Sequence, residues 1–176
     1  IDNWGAKMRS NWVSGDTMEH VLAALTPPNR LAMIVALRYG LRIDDVLHIK
    51  TTQLLQGRFS VTEMKTGKRR RIAITGKLQR QLLRQAGEVY VFEGRLSVDK
   101  PRTRQAVYKD VVRAAKFFRV SENLTPHSAR KIYAASLFHE CGGDIQAVQH
   151  RLNHSDPSVT MIYALSDLLA KDKEPP

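Results

Sequence analysis

The chain has few of the residues that mark secreted or membrane proteins. Its 176 residues include one cysteine, Cys141, so no disulfide can form within the chain, and this suits a reducing compartment. We find no apolar run long enough to span a bilayer and no helix pattern with one wholly basic face. No signal peptide is recognisable, and the first residue is Ile1 rather than methionine. We therefore expect a piece excised from a longer protein, in the cytoplasm and without a membrane partner.

Acidic residues are also scarce. Aspartate and glutamate number 17 against 28 lysines and arginines, which gives a formal net charge of +11. A surplus of this size in a chain of single-domain length favours a polyanionic partner, with nucleic acid as the leading candidate.

The spacing of apolar residues predicts a mainly α fold with a small antiparallel β-sheet, in the α+β class. Two alternating segments, 59–64 and 69–74, predict a hairpin whose turn is Lys65-Thr66-Gly67-Lys68. We expect residues 1–14 to form a linker or arm, 15–165 a catalytic domain, and 166–176 a tail. Helices are predicted at 18–25, 31–41, 78–83, 107–118, 126–141 and 144–152, with another after Pro157.

The end of the chain carries the residue types needed to attack a phosphate. His127 and Arg130 are three residues apart, so a helix places them on one face. An arginine fork matches phosphate oxygens and stays charged. Tyr163 supplies a phenol, which attacks only when another group takes its proton. A histidine such as His127 or His154 can accept that proton.

This order of residues resembles the tyrosine recombinases of the phage integrase family. A His-x-x-Arg box is followed by Leu152-Asn153-His154, and Tyr163 comes nine residues after that histidine (163 − 154 = 9). Asn153 stands where glycine is usual in the family.

Two segments nearer the start extend the resemblance. The segment 36–47 is similar to the family's first arginine box, with Arg42 as the catalytic arginine and Asp45 at the acidic position. The Met64-Lys65-Thr66-Gly67-Lys68 segment is similar to the hairpin that carries the family's lysine.

The resemblance implies a role for each of these side chains. Tyr163 would attack a DNA phosphodiester and form a 3′-phosphotyrosine, while Arg42 and Arg130 stabilise the negative charge of the transition state. Lys65 would protonate the leaving 5′-oxygen, and Lys68 in the same turn is the alternative.

The remaining site residues are expected to support this reaction. His127 would accept the tyrosine proton or bond a phosphate oxygen, and His154 would donate a hydrogen bond to the phosphate. Asp45 would orient the first arginine box, although its short side chain could equally cap a helix. Basic residues that we expect to contact DNA phosphates are Lys68, Arg69, Arg71, Arg102 and Arg104.

The implied partners are double-stranded DNA and further copies of the chain, four on two duplexes. No cofactor is implied, because the two guanidinium groups take the role that metals have elsewhere. His139, Cys141, His150 and His154 suggest zinc, but structural zinc sites usually draw on paired cysteines, so we disfavour a metal. The tail after Tyr163 could dock on a neighbouring protomer or fold back.

Two other functions remain open at this point. A type IB topoisomerase shares the chemistry but relaxes supercoils as a monomer. A DNA-binding module that has lost catalysis is the other alternative, although all six candidate catalytic positions are filled.

Overall fold

The structure is a computed structural model, and it describes Val13 and residues 15–152. Two of the predicted catalytic side chains, His154 and Tyr163, lie outside the described residues, as does the helix predicted to carry Tyr163. The tail 166–176 and the arm 1–14, apart from Val13, lie outside them as well.

Helices dominate the described part of the chain, as predicted, and one two-stranded antiparallel sheet accompanies them. In chain order the elements are α1 (Gly15–Ala23), α2 (Pro27–Tyr39), α3 (Ile43–Leu47), α4 (Thr51–Gln56), β1 (Arg58–Thr62), β2 (Arg69–Ala73), α5 (Gly76–Leu83), α6 (Arg104–Phe117), α7 (Pro126–Glu140) and α8 (Ile145–Leu152). The short helix α4 was not predicted from the sequence.

Helix α2 places the segment that carries Arg42. Pro27 and Pro28 open α2, because the N–H groups of the first turn of a helix have no partner within the helix. Gly40 ends α2 in a left-handed conformation with φ of 61°, and its N–H donates to Ala36 O at 2.9 Å. The helix thus ends two residues before the predicted end at 41, and the chain then passes through Arg42 directly into α3.

The hairpin has one buried and one exposed face. Phe59 pairs with Ile72, and both face the core, while Arg71 faces solvent as the alternation predicted. The hydroxyl of Tyr39 donates to Ala73 O at 2.7 Å, which fastens β2 to the end of α2. The turn that carries Lys65 is therefore attached to the segment that carries Arg42.

The core is formed where α2 packs against α7, with α1, α3 and α6 around them. Its fully buried members include Met33, Val35, Leu47 and Val111. Within residues 15–152, no helix is both long enough and apolar enough to cross a membrane.

We predict that Gly40→Ala strongly destabilises the fold. A Cβ at Gly40 would overlap the ring of Tyr133, and alanine at a φ of 61° adds about 1–2 kcal/mol of backbone strain. Urea unfolding should show a loss larger than this strain alone.

Gly142→Ala is the matched control, because Gly142 also has a φ of 61° but has open space where its Cβ would lie. Equal losses of unfolding free energy in the two variants would contradict the role given to the Tyr133 contact.

Candidate active site

One cavity of about 490 Å³ brings together side chains from four distant parts of the chain. Four predicted catalytic residues line it, namely Arg42, Lys65, His127 and Arg130. Its other lining residues are Leu41, Ile43, Asp44, Arg104, Gln105, Tyr108, Thr125 and Pro126. Cationic side chains and a histidine thus share one concave surface.

Arg42 lies at the N-cap of α3 and projects its guanidinium group towards the hairpin. Its Nη1 donates to Glu63 Oε2 at 2.5 Å, and the Glu63 side chain has no exposed surface. Burial by itself raises the pKa of Glu63, but the Arg42 hydrogen bond and the Arg130 charge outweigh it and hold the pKa below its usual value. Glu63 is therefore ionised at neutral pH and pairs with Arg42.

Asp45 also binds the hairpin. Its Oδ1 accepts a hydrogen bond from Met64 N at 2.9 Å, next to Lys65. Burial raises the pKa of Asp45, and its Oδ2 is buried without a hydrogen-bond partner in the described part of the chain. The sequence predicted support for the arginine segment, whereas this hydrogen bond supports the hairpin.

Arg130 is almost fully buried, with 1% of its surface exposed, and its side chain joins the ends of two helices. Its Nη1 donates to Gly40 O and its Nη2 to Leu152 O, both at 2.6 Å. The side chain therefore connects the end of α2 with the end of α8, two residues before His154 in the sequence.

His127 lies in the first turn of α7, three residues before Arg130. Thr125 caps this helix, since its Oγ1 accepts from His127 N at 3.3 Å, and Pro126 occupies the first turn as predicted. Desolvation, followed by the charges of Arg130 and Lys131, lowers the pKa of His127 to about 4. The imidazole is neutral at physiological pH and can accept a proton.

The two lysines of the turn are placed differently. Both are exposed, but Lys65 lines the cavity, whereas Lys68 does not belong to the lining formed by residues 15–152. The geometry supports Lys65 as the candidate general acid.

The basic residues predicted to contact DNA fall into two groups. Arg69 and Arg71 are exposed on the outer face of the hairpin, and Arg104 lines the cavity, where it lies 3.5 Å from Asp44. Arg102 is half-buried, and its Nε donates to Asn29 Oδ1 at 2.6 Å. Its guanidinium group thus takes part in an internal contact.

Sequence reasoning missed Glu63, Gln105 and Tyr108. A signal for Glu63 was present, because it continues the alternation of Phe59 and Val61 and so falls on the buried face of the hairpin. For Gln105 and Tyr108, no sequence pattern indicated that these positions in the first turns of α6 would line the cavity.

Three of the residues considered for zinc, His139, Cys141 and His150, lie in the described part of the chain. No group of three or more potential ligands comes together among residues 15–152. His154 lies outside that range.

The arrangement places guanidinium groups, a lysine and a neutral histidine around one cavity, which is typical of sites that bind an anion such as a phosphate. Comparison with known proteins then identifies the family. The model of the phage integrase family matches residues 11–168, so this chain belongs to that family, and the predicted resemblance is confirmed.

A curated relative is tyrosine recombinase XerD of Halalkalibacterium halodurans, which is 28% identical and aligns with 84% of this chain. The match covers 55% of that protein, so the chain spans about half the length of this relative.

Solved structures confirm the predicted fold. The XerH site-specific recombinase bound to palindromic difH, a post-cleavage complex, has a TM-score of 0.69 at 19% identity, covering 98% of this chain and 54% of that one. A lambda integrase tetramer bound to a Holliday junction has a TM-score of 0.68 at 21% identity, covering 89% and 48%.

We predict that the ring of His127 titrates with a pKa of about 4, well below the unperturbed value of about 6.5. NMR of the ring C–H groups between pH 3.5 and 8 would measure it. Lys131→Met should raise this pKa, because it removes a positive charge that acts on the ring.

The control is Lys77→Met in α5, a residue that does not line the cavity, and it should leave the His127 titration unchanged. A pKa of 6.5 or more in the unaltered chain would contradict this account of the cavity.

Proposed function

We propose that this chain is the catalytic domain of an integrase-type site-specific recombinase that cuts and rejoins double-stranded DNA. The observation that carries the proposal is the convergence of Arg42, Lys65, His127 and Arg130 on one cavity, although they come from separate parts of the chain. Family membership supports the same chemistry.

In the proposed reaction, the Tyr163 oxygen forms a bond to phosphorus while the bond from phosphorus to the 5′-oxygen breaks. Arg42 and Arg130 stabilise the charge on the non-bridging oxygens, and His154 donates a hydrogen bond to the same phosphate. The phosphodiester energy is kept in the tyrosine ester, so a second strand end can reverse the step without ATP.

Two proton transfers complete the step. The phenol proton goes to His127, whose imidazole is neutral at physiological pH and becomes a stronger base when the DNA phosphate brings negative charge beside it. Lys65 donates a proton to the leaving 5′-oxygen, which would otherwise depart as a costly alkoxide. During religation the same groups act in the opposite directions.

The wider setting belongs to the same proposal. We place the catalytic domain at residues 15–165, with 1–14 as an arm and 166–176 as a tail, in the cytoplasm of a bacterial or phage-infected cell. Assembly of four copies on DNA is supported by the lambda integrase tetramer on a Holliday junction, which shares this fold.

Covalent capture of DNA tests the reaction directly. We expect the chain, mixed with duplexes of randomised sequence that carry nicks, to form an adduct that withstands denaturation and disappears on proteolysis. The nick releases the 5′-hydroxyl strand, so the ester cannot reverse. Denaturing gels and sequencing of the captured DNA would identify the adduct and its site.

Tyr163→Phe is the matched variant, since it removes only the nucleophilic oxygen, and it should lower adduct formation by more than about a thousandfold. No adduct with the unaltered chain, or an undiminished adduct with the variant, would contradict the proposal. With circular substrates, recombinant products support a recombinase, whereas relaxed circles alone indicate a topoisomerase.

Binding to DNA should weaken steeply with salt, because phosphate contacts release counterions. If six or more phosphates are contacted, affinity should fall by about a thousandfold or more between 50 and 200 mM salt. Arg71→Ala should reduce the slope of log affinity against log salt by about one, because Arg71 is exposed.

Arg102→Ala is the comparison for the salt measurement. It should leave the slope unchanged, because the Arg102 guanidinium already binds Asn29 within the fold. Equal changes of slope in the two variants would show that exposure on the hairpin does not decide which arginine contacts phosphate.

A further inference from the structure

Glu63 joins the two parts of the cavity wall that carry Arg42 and Lys65. It stands two residues before Lys65, at the end of β1, and its side chain has no exposed surface. The carboxylate accepts from Arg42 Nη1 at 2.5 Å and from Thr66 Oγ1 at 3.0 Å. Arg70 Nη1 lies 3.9 Å from its other oxygen.

The backbone of Glu63 closes the turn as well. Its carbonyl accepts from Gly67 N at 2.8 Å, and its N–H donates to Lys68 O at 2.9 Å. The position of the carboxylate is therefore set by the hairpin itself, so it is a fixed acceptor for the Arg42 guanidinium.

A fixed acceptor matters for Arg42, because its side chain is long and only partly buried. Its backbone caps α3, its side chain makes no capping hydrogen bond, and 21% of the side chain remains exposed. A long arginine side chain samples many rotamers when it is unrestrained. Electrostatic catalysis depends on donors that are already oriented before the charge develops.

We propose that Glu63 is a positioning residue for Arg42, which holds the guanidinium group in the orientation that receives the scissile phosphate. This inference rests on the proposed function. The ionised state that it needs is maintained at neutral pH, because the pKa of Glu63 lies below its usual value despite burial. Glu63 acts only through Arg42 and does not contact the DNA.

The test uses Glu63→Gln, which keeps the shape of the side chain and removes its charge. The substrate is a nicked duplex of the sequence identified in the capture experiment, at a saturating concentration. We expect the cleavage rate to fall by about 10- to 100-fold, while the dissociation constant for this DNA changes by less than about threefold. Glu19→Gln on α1, an exposed residue outside the cavity, should keep the full cleavage rate. An unchanged rate for Glu63→Gln would overturn the proposal.

A double variant tests whether the effect passes through Arg42. Groups that act as a unit give non-additive losses, so Arg42→Ala with Glu63→Gln should be no slower than Arg42→Ala alone. If the two losses multiply, Glu63 acts by another route, and the proposal is wrong.

A substrate with sulfur at the bridging 5′-position distinguishes Arg42 from Lys65. A thiolate leaves without a proton, so this substrate should restore cleavage by Lys65→Ala. It should leave Glu63→Gln slow, because the charge on the non-bridging oxygens is unchanged. Recovery of Glu63→Gln would place its effect on the Lys65 turn and overturn the assignment to Arg42.

Thermal unfolding of the variant and adduct formation by the unaltered chain distinguish a failure of this inference from a failure to fold or a failure of the proposed function. If thermal unfolding shows that Glu63→Gln does not fold, Glu63→Asp replaces it, since aspartate keeps the charge but retracts it from Arg42 by one methylene. An unaltered chain that forms no adduct refutes the proposed function. If the unaltered chain forms adducts and the Glu63 variant forms them equally fast, only this inference is refuted.

Discussion

The buried guanidinium group of Arg130 connects parts of the chain that lie far apart in sequence. It donates to the carbonyl of Gly40 at the end of α2 and to that of Leu152 at the end of α8. Gly40 is the residue that ends α2, and Leu152 is the last described residue of α8. Arg130 therefore joins two helices of the described part of the chain and holds the Arg42 segment beside α7.

A second constraint comes from charge. Placing Arg42, Lys65 and Arg130 around one cavity concentrates positive charge, which neighbouring carboxylates must partly balance. Glu63 provides this balance through its ion pair with Arg42, while Asp45 accepts a hydrogen bond from Met64 N on the hairpin. The cavity thus stays cationic towards solvent while the cations are anchored from the protein side. In our proposal, the DNA phosphate occupies the solvent side.

The elements that the sequence predicted well are those with a local physical cause. Gly40 ends α2 because only a residue without a side chain tolerates both the left-handed backbone and the ring of Tyr133. Arg71 faces outward because strand residues alternate, and Pro126 opens α7 because its fixed φ suits a first turn. Arg102 shows the limit of such reasoning, since its contact with Asn29 joins residues 73 positions apart.

The sequence by itself determined the family, the order of the motifs and the identity of the cavity-lining cations, because each depends on residue types at short, fixed spacings. Only the tertiary structure decided which lysine of the turn lines the cavity, that Asp45 binds the hairpin, and that Glu63 pairs with Arg42. These outcomes depend on how the hairpin packs against the end of α2. Contacts between distant segments are set by the packing of the whole core, and no local pattern encodes them.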